Sequence, residues 1–353
     1  MELSVLQTVL LALLIVVVLF LPLTVHKVEE NLEAFLFLCG VFAVTVSKSW
    51  SGQLVLTALE DPIKITIAVL VAGLLFRKFN KSLQKLTQKA VKGLGLRCTL
   101  FGIVFVLGLT SSLITAIIAA LVLSEVAVML PLERKGRVKL VVYACFSIGM
   151  GAVLTSIGEP LGTVVLSKLS GAPHYADFFF LIDHLGWFVL GGILFMAGLA
   201  SAIRDNPIQK APGPKPAETA QDEHSVKSIV IRAAKVYLFV MALVFLGDGL
   251  KPLAMQTISH LSAGWLYWIN TLSAVLDNAT LAAIEVTPDI STRTLTFLLM
   301  SLIISGGMLI PGNIPNIICA SKLGIKSKEW AKAAVALGAL VMLVFFVILN
   351  AVL

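Results

Sequence analysis

The sequence predicts an all-α polytopic membrane protein built as an inverted-topology repeat, with two re-entrant hairpins and two broken transmembrane helices. Three observations predict it. The chain is 58% hydrophobic and 13% charged, where soluble domains have roughly 45–50% and about 25%. Its basic residues fall in short runs between apolar segments, as they do in cytoplasmic loops. Two segments, GEPLGTVVLSKL at 158–169 and GNIPNIICASKL at 312–323, match at a spacing of 154 residues.

Taken in order, apolar segments lie at about 3–25, 32–49 and 55–76. The first lacks the basic start of a signal peptide and is expected to span. RKFNKSLQKLTQKAVKGLGLR, 77–97, has seven Lys or Arg and no acid, so it marks the cytoplasmic side. A mostly apolar stretch, 98–130, is too short for two spans of about 20 residues, yet it is basic on both flanks. A re-entrant hairpin turning near Thr110–Thr115 solves this. Irregular backbone at membrane depth must be buried in protein or line a cavity. Segment 140–169 then crosses, and 177–203 returns. The Pro- and charge-rich stretch 204–227 reads as a cytoplasmic linker between an N-terminal half, 1–203, and a C-terminal half, 228–353. In the second half, 228–246 crosses, 262–286 forms the second hairpin with Asp277 and Asn278 near its tip, 294–323 is the second broken helix and 332–353 the last span. Trp265, Tyr267 and Trp268 suit an interfacial belt. Cys39, Cys98, Cys145 and Cys319 have no metal spacing and read as packing residues.

The repeat explains the placement of a Glu-Pro pair inside apolar sequence. Gly158 pairs with Gly312, Glu159 with Asn313, and Pro160 falls within one position of Pro315. Each proline removes a backbone donor and breaks its helix. Each broken helix follows a hairpin of similar make-up, with SSLITA at 111–116 and SAVLDN at 273–278, and each hairpin arm carries a Glu-Val, at Glu125 and Glu285. Three predicted crossings separate the two Ser-Lys-Leu copies, so they point opposite ways. Paired broken helices of this kind build ion and substrate sites in secondary transporters.

These residues resemble a known family. LSAVLDNATL, 272–281, is similar to the Asp-Asn signature of the ArsB/NhaD-type ion transporter superfamily, and the chain resembles a small branch of it described as cation transporters. The resemblance implies a dimerising scaffold domain, hence a homodimer, and a transport domain that moves like an elevator. It implies acid-amide roles for Asp277 and Asn278 and a polar role for Asn313. The first hairpin departs from the pattern, with Thr115 where Asp277 stands in the repeat, and the charge is placed instead at Glu159.

The expected cation and proton ligands are Glu159, Asp277, Asn278, Asn313, Thr155, Ser156, Thr280, Ser111 and Ser112, all oxygen donors suited to Na⁺. The helix breaks themselves are Gly158, Pro160, Gly312 and Pro315, and Glu125, Glu285 and Thr115 are candidates for the pathway. A desolvated carboxylate holds its proton more tightly, so H⁺ and Na⁺ compete for it, and competition alone yields antiport. Na⁺, centred on Asp277, Asn278, Glu159 and Asn313, and H⁺ are the expected transported ions, with no other cofactor. Plainer readings hold elsewhere. Glu125 and Glu285 near the hairpin exits also suit the interface, Asp248 suits a helix end, Asp183, His184 and His260 suit interfacial positions, and Lys168 and Lys322 suit snorkelling or capping a helix C-terminus, with a counter-charge role as the alternative.

The net charge of +7 is explained by loop orientation, so no nucleic-acid partner is expected. The expected partners are lipid and a second copy of the chain. An intramembrane enzyme is disfavoured because there is no H-E-x-x-H and no paired Asp motif, and the missing phosphate-binding loop argues against an ATPase subunit. Within transport, a Na⁺-coupled symporter of a small anion is the alternative to a sodium/proton antiporter, and an oxyanion exporter stands third. The linker is expected on the cytoplasmic face of the inner membrane. A single cysteine introduced as Lys215→Cys should therefore resist an impermeant thiol reagent in intact cells and react after permeabilisation; labelling from outside would reverse the orientation.

Overall fold

The structure, a computed structural model, describes residues 3–25, 27–28, 31–204, 226–258, 262–276 and 278–353, and these are helical with no strand among them. Five helices are long and apolar enough to cross a membrane: Val5–Thr24, Lys85–Ile114, Phe180–Ser201, Ala233–Gln256 and Ser327–Val352. Large apolar side chains such as Val9, Leu13, Phe20, Leu343 and Val347 are exposed on the outside of the first and last of these. Soluble monomers rarely leave such apolar stripes in water. The chain is a helical membrane protein.

A first group of helices packs together. It comprises α1 (Val5–Thr24), α2 (Leu32–Ser47), the start of α3 (Gly52–Ile114) and α8 (Val226–Ile258). Phe37 meets Phe245 edge to face with centroids 5.9 Å apart. Tyr237 donates its hydroxyl to the Leu59 carbonyl (2.9 Å). Gly249 lets α8 approach α2 so closely that a Cβ there would lie 2.5 Å from the Val44 nitrogen.

The second group holds the sequence repeat. The rest of α3 leads to α4 (Ala116–Met129), then α5 (Arg134–Ala152), a break, α6 (Pro160–Lys168) and α7 (Phe180–Ser201). After α8 come α9 (Ala263–Ile269), a 3-10 turn over Asn270–Ala274, α10 (Asn278–Glu285), α11 (Thr292–Gly306), a break, α12 (Ile314–Leu323) and α13 (Ser327–Val352). Helix α11 and most of α5 are buried on all sides, as befits helices that are apolar all round.

Matched positions make matched contacts. Ser111 donates to the Ile148 carbonyl (3.0 Å) and Ser273 to that of Leu302 (3.2 Å). A Cβ on Gly158 would lie 2.0 Å from the Ala152 carbonyl oxygen, and one on Gly312 would lie 2.5 Å from that of Gly306. Gly108 packs against Ser147, while Asn270 takes the matching place and donates to Ser301 (3.0 Å).

Two expectations need correction. The basic run 77–97, expected as a loop, is helical and belongs to α3, whose regular path is interrupted at Gly95 (φ 77°, ψ 161°). Lys, Arg, Gln and Leu are all good helix formers, and a run without Pro gives a helix no reason to stop. Asp248, expected at a helix end, lies inside α8, which continues through Pro252 to Ile258. Glycines flank Asp248 because α8 there packs tightly on α2 and on Thr280, not because the helix terminates. The 204–227 linker lies mostly outside the described residues, as do Asp277 and His260.

The closest packing yields a prediction. A methyl group on Gly151 would stand 1.8 Å from the Gly108 carbonyl oxygen, whereas nothing lies within 4 Å of a Cβ on Gly93. Gly151→Ala should cost about 1–3 kcal/mol or more by overpacking, seen as a lower unfolding temperature in detergent. Gly93→Ala should leave that temperature unchanged or raise it slightly.

Candidate ion-binding site

Both breaks are built alike. Glu159 precedes α6 with φ −156° and ψ 163°, and Asn313 precedes α12 with φ −155° and ψ 146°. A proline occupies the first turn of each helix, where its missing N–H costs nothing. Polar residues at such positions ordinarily cap their own helix. Neither Glu159 nor Asn313 does so. Both are buried, at 6% and 8% exposure. The Asn313 amide nitrogen instead lies against Gly149 of α5, 2.8 Å from where a Cβ would stand.

The helix starts gather at the breaks. The Ala116 N–H that opens α4 donates to the Gly158 carbonyl (2.9 Å) beside Glu159. Helix α12 runs alongside α4 in the same direction, with Cys319 donating to the Ala120 carbonyl (3.4 Å) and Lys322 pairing with Glu125 one turn further on. Helix α6 packs along α10 in the corresponding way, and Lys168 donates to the carbonyls of Ala283 and Val286 at the end of α10. The N-termini of α4 and α6 meet at the Ala116–Gly158 contact, with α12 alongside α4 and α10 alongside α6, so four helix starts face one region, each with a partial positive charge.

The remaining predicted ligands divide. Thr155 is buried and spends its hydroxyl on the backbone, donating to the Ser112 carbonyl (2.5 Å) and accepting from the N–H groups of Ile157 (3.2 Å) and Gly158 (3.3 Å). Ser111 and Ser112 also donate to backbone carbonyls. Thr155 holds the first hairpin to the break and Ser111 holds it to α5, while Ser112 bonds back within α3. Ser156 is exposed, and its carbonyl accepts from Thr163 (2.8 Å). Asn278 opens α10, is 5% exposed and leaves its amide nitrogen without a hydrogen-bond partner. Thr280 lies against Gly247 of α8. Thr115 caps α4 at φ 72°, a strained conformation for a β-branched residue. Asp277 lies outside the described residues. The structure thus brings Glu159, Asn278 and Asn313 to the ends of neighbouring short helices, and gives Thr155, Ser111 and Ser112 to the framework.

Sequence reasoning missed several parts. Asn316 donates its buried amide to the Gly306 and Leu309 carbonyls (2.9 Å each), closing the second break. Arg134 clamps the end of α12 through the carbonyls of Leu323 (2.8 Å) and Gly324 (2.6 Å) and pairs with Glu329 (2.7 Å). Lys322 does not snorkel, since its ammonium is buried against Glu125. The matching of Lys168 and Lys322 in the repeat was the available signal. A cavity of about 210 Å³ opens between α2, α8 and α12, with Glu33, Lys235, Phe239, Ile317, Ser321 and Lys326 among its walls.

A family model described as "Protein of unknown function (DUF1646)" matches residues 7–352. The chain belongs to this family. No curated protein matches it. The match covers both breaks and both hairpins of this DUF1646 member, so the site sits inside the family's own unit and not in an appended segment.

Thr155 supplies the test of the framework. Thr155→Val leaves two backbone N–H groups and the Ser112 carbonyl unsatisfied in a buried place, which should cost about 1–3 kcal/mol and lower the unfolding temperature in detergent. Thr155→Ser keeps the hydroxyl and should stay near wild type.

Proposed function

We propose that this protein is a secondary active transporter that exchanges a cation, Na⁺ first among candidates, for protons. The observation that carries the reading is the pair of breaks whose buried polar residues, Glu159 and Asn313, are not spent on capping their own helices. Buried polar side chains beside a helix break suit a transient ligand. In this reading Glu159 and Asp277 supply charge, and Asn278, Asn313 and released carbonyls complete an oxygen shell. Protonation discharges the carboxylates and expels the cation, so either ion crosses but not both. The two halves are then inverted repeats, and the hairpins 98–130 and 262–286 are re-entrant. Helices α1, α2 and α8 form the scaffold, which pairs with a second copy, and the broken helices and hairpins move against it as an elevator. The site lies in the inner membrane, with the linker in the cytoplasm and no enzyme activity.

A second reading has its own observation. Four helix N-termini facing one region suit an anion, which favours Na⁺-coupled symport of a small anion. The two readings separate in proteoliposomes holding a pH gradient. Antiport predicts that Na⁺, Li⁺, K⁺ or Ca²⁺ added alone collapses the gradient in a cation-specific way, and that Asp277→Asn abolishes the response and Glu159→Gln cuts it at least tenfold. Unaltered Na⁺-driven flux in Asp277→Asn would remove that residue from the site. Silence toward every cation, with Na⁺-dependent uptake of a small anion, would establish symport.

A further inference from the structure

A carboxylate buried in a membrane interior needs a positive charge or a proton beside it. The two hairpin exit arms carry one each, Glu125 on α4 and Glu285 on α10, at 3% and 8% exposure. The first is neutralised by the protein itself, through the buried ion pair with Lys322. The lysine in the corresponding place of the other half is Lys168, and it does something else. Its ammonium donates to the carbonyls of Ala283 and Val286 (3.0 Å to the latter) and caps the end of α10. Glu285 forms no ion pair among the described residues.

What surrounds Glu285 is oxygen and amide. Its Oε2 accepts from Asn270 Nδ2 (3.0 Å), and its Oε1 has no hydrogen-bond partner. Asn270, 1% exposed, also donates to Ser301 Oγ (3.0 Å), and its own Oδ1 is without a hydrogen-bond partner. Ser305 fixes this residue by donating to the Asn270 carbonyl (2.6 Å). The positions matching Asn270 and Ser301 in the first half are Gly108 and Ser147, so no amide stands beside Glu125 there. The second half has an amide and two open oxygen atoms where the first half has an ammonium.

We propose that Glu285, Asn270 and Ser301 form a second ion-binding site, separate from the breaks, that holds one unit of positive charge as a proton or an alkali cation. Glu285 excludes an anion. A single carboxylate with neutral oxygens suits a monovalent ion better than a divalent one. The elements packed on α10 contribute Lys168 from α6, and Asp248 and Lys251 from α8 within a turn or so of the Gly247–Thr280 contact; α11 contributes Arg293 at its outer end. Lys168 limits the site to one added charge.

The test needs no vesicle, so a failed transport assay and a failed site are told apart. Carboxyl protonation would be followed by infrared difference spectroscopy on the purified full chain from about pH 5 to pH 9, a range between free carboxylates and free amines, with and without NaCl. Radioactive Na⁺ binding would be counted in parallel. Wild type should show a carboxyl signal or a bound Na⁺ that Glu285→Gln lacks, one charge fewer per chain, while Asp183→Asn, at an exposed carboxylate in the first turn of α7, keeps it. A signal that NaCl erases assigns an alkali cation, and one indifferent to NaCl assigns a proton. Asn270→Gly, which copies the first half, should weaken occupancy about tenfold, and it carries the test if Glu285→Gln fails to fold. Identical spectra and Na⁺ counts in wild type, Glu285→Gln and Asn270→Gly would overturn the proposal.

Discussion

Backbone polar groups without a helix to satisfy them are the constraint on which this structure turns. A buried N–H or C=O without a partner costs several kcal/mol, and this chain frees them twice, between α5 and α6 and between α11 and α12. The response is the same in both halves. Hydroxyls and amides that would be idle in an ordinary helix tie the loose backbone down, Thr155 at one break and Asn316 at the other. Glycines let the loops fold back on the helix ends. The most buried helices of the second group are the broken ones, because only a protein-lined interior tolerates a break.

Charge is treated differently in the two halves. Lys322 and Glu125 cancel one another inside the protein, which is stable only because both partners are present; losing either would strand the other. Lys168 has the same position but serves as a backbone cap. Equivalent architecture therefore does not mean equivalent electrostatics, and the asymmetry falls on the half whose hairpin bears the Asp-Asn pair.

Much of this was legible in the sequence. The breaks were, because Gly, Pro and a polar residue in an apolar run admit few explanations, and because the run occurs twice. The turn near Thr115 was, because a mostly apolar stretch too short for two spans is interrupted there by hydroxyl residues. Helix α3 was not. Charge pattern reports which side of the membrane a segment faces, not whether it is helical, and the basic run that looked like a loop consists mostly of good helix formers as far as Gly93. The partners of Thr155, Asn316 and Lys322 were illegible for another reason. They bond across gaps of up to 197 residues, as Lys322 does to Glu125, and no local pattern encodes which carbonyl or carboxylate a side chain will meet.

Helix α3 has a mechanical consequence. Its first turns, at Leu54 and Ala58, pack with Phe245 in the first group of helices, and its last, at Val104 and Gly108, pack against Ser147 in the second. A helix is stiff along its length, so displacement of one group would be transmitted to the other as through a connecting rod. Gly95 is the one place along it with non-helical torsions, and a residue without a Cβ can swivel there at little cost. The rod has a joint, and the joint sits at the end of the basic stretch, just ahead of the first hairpin.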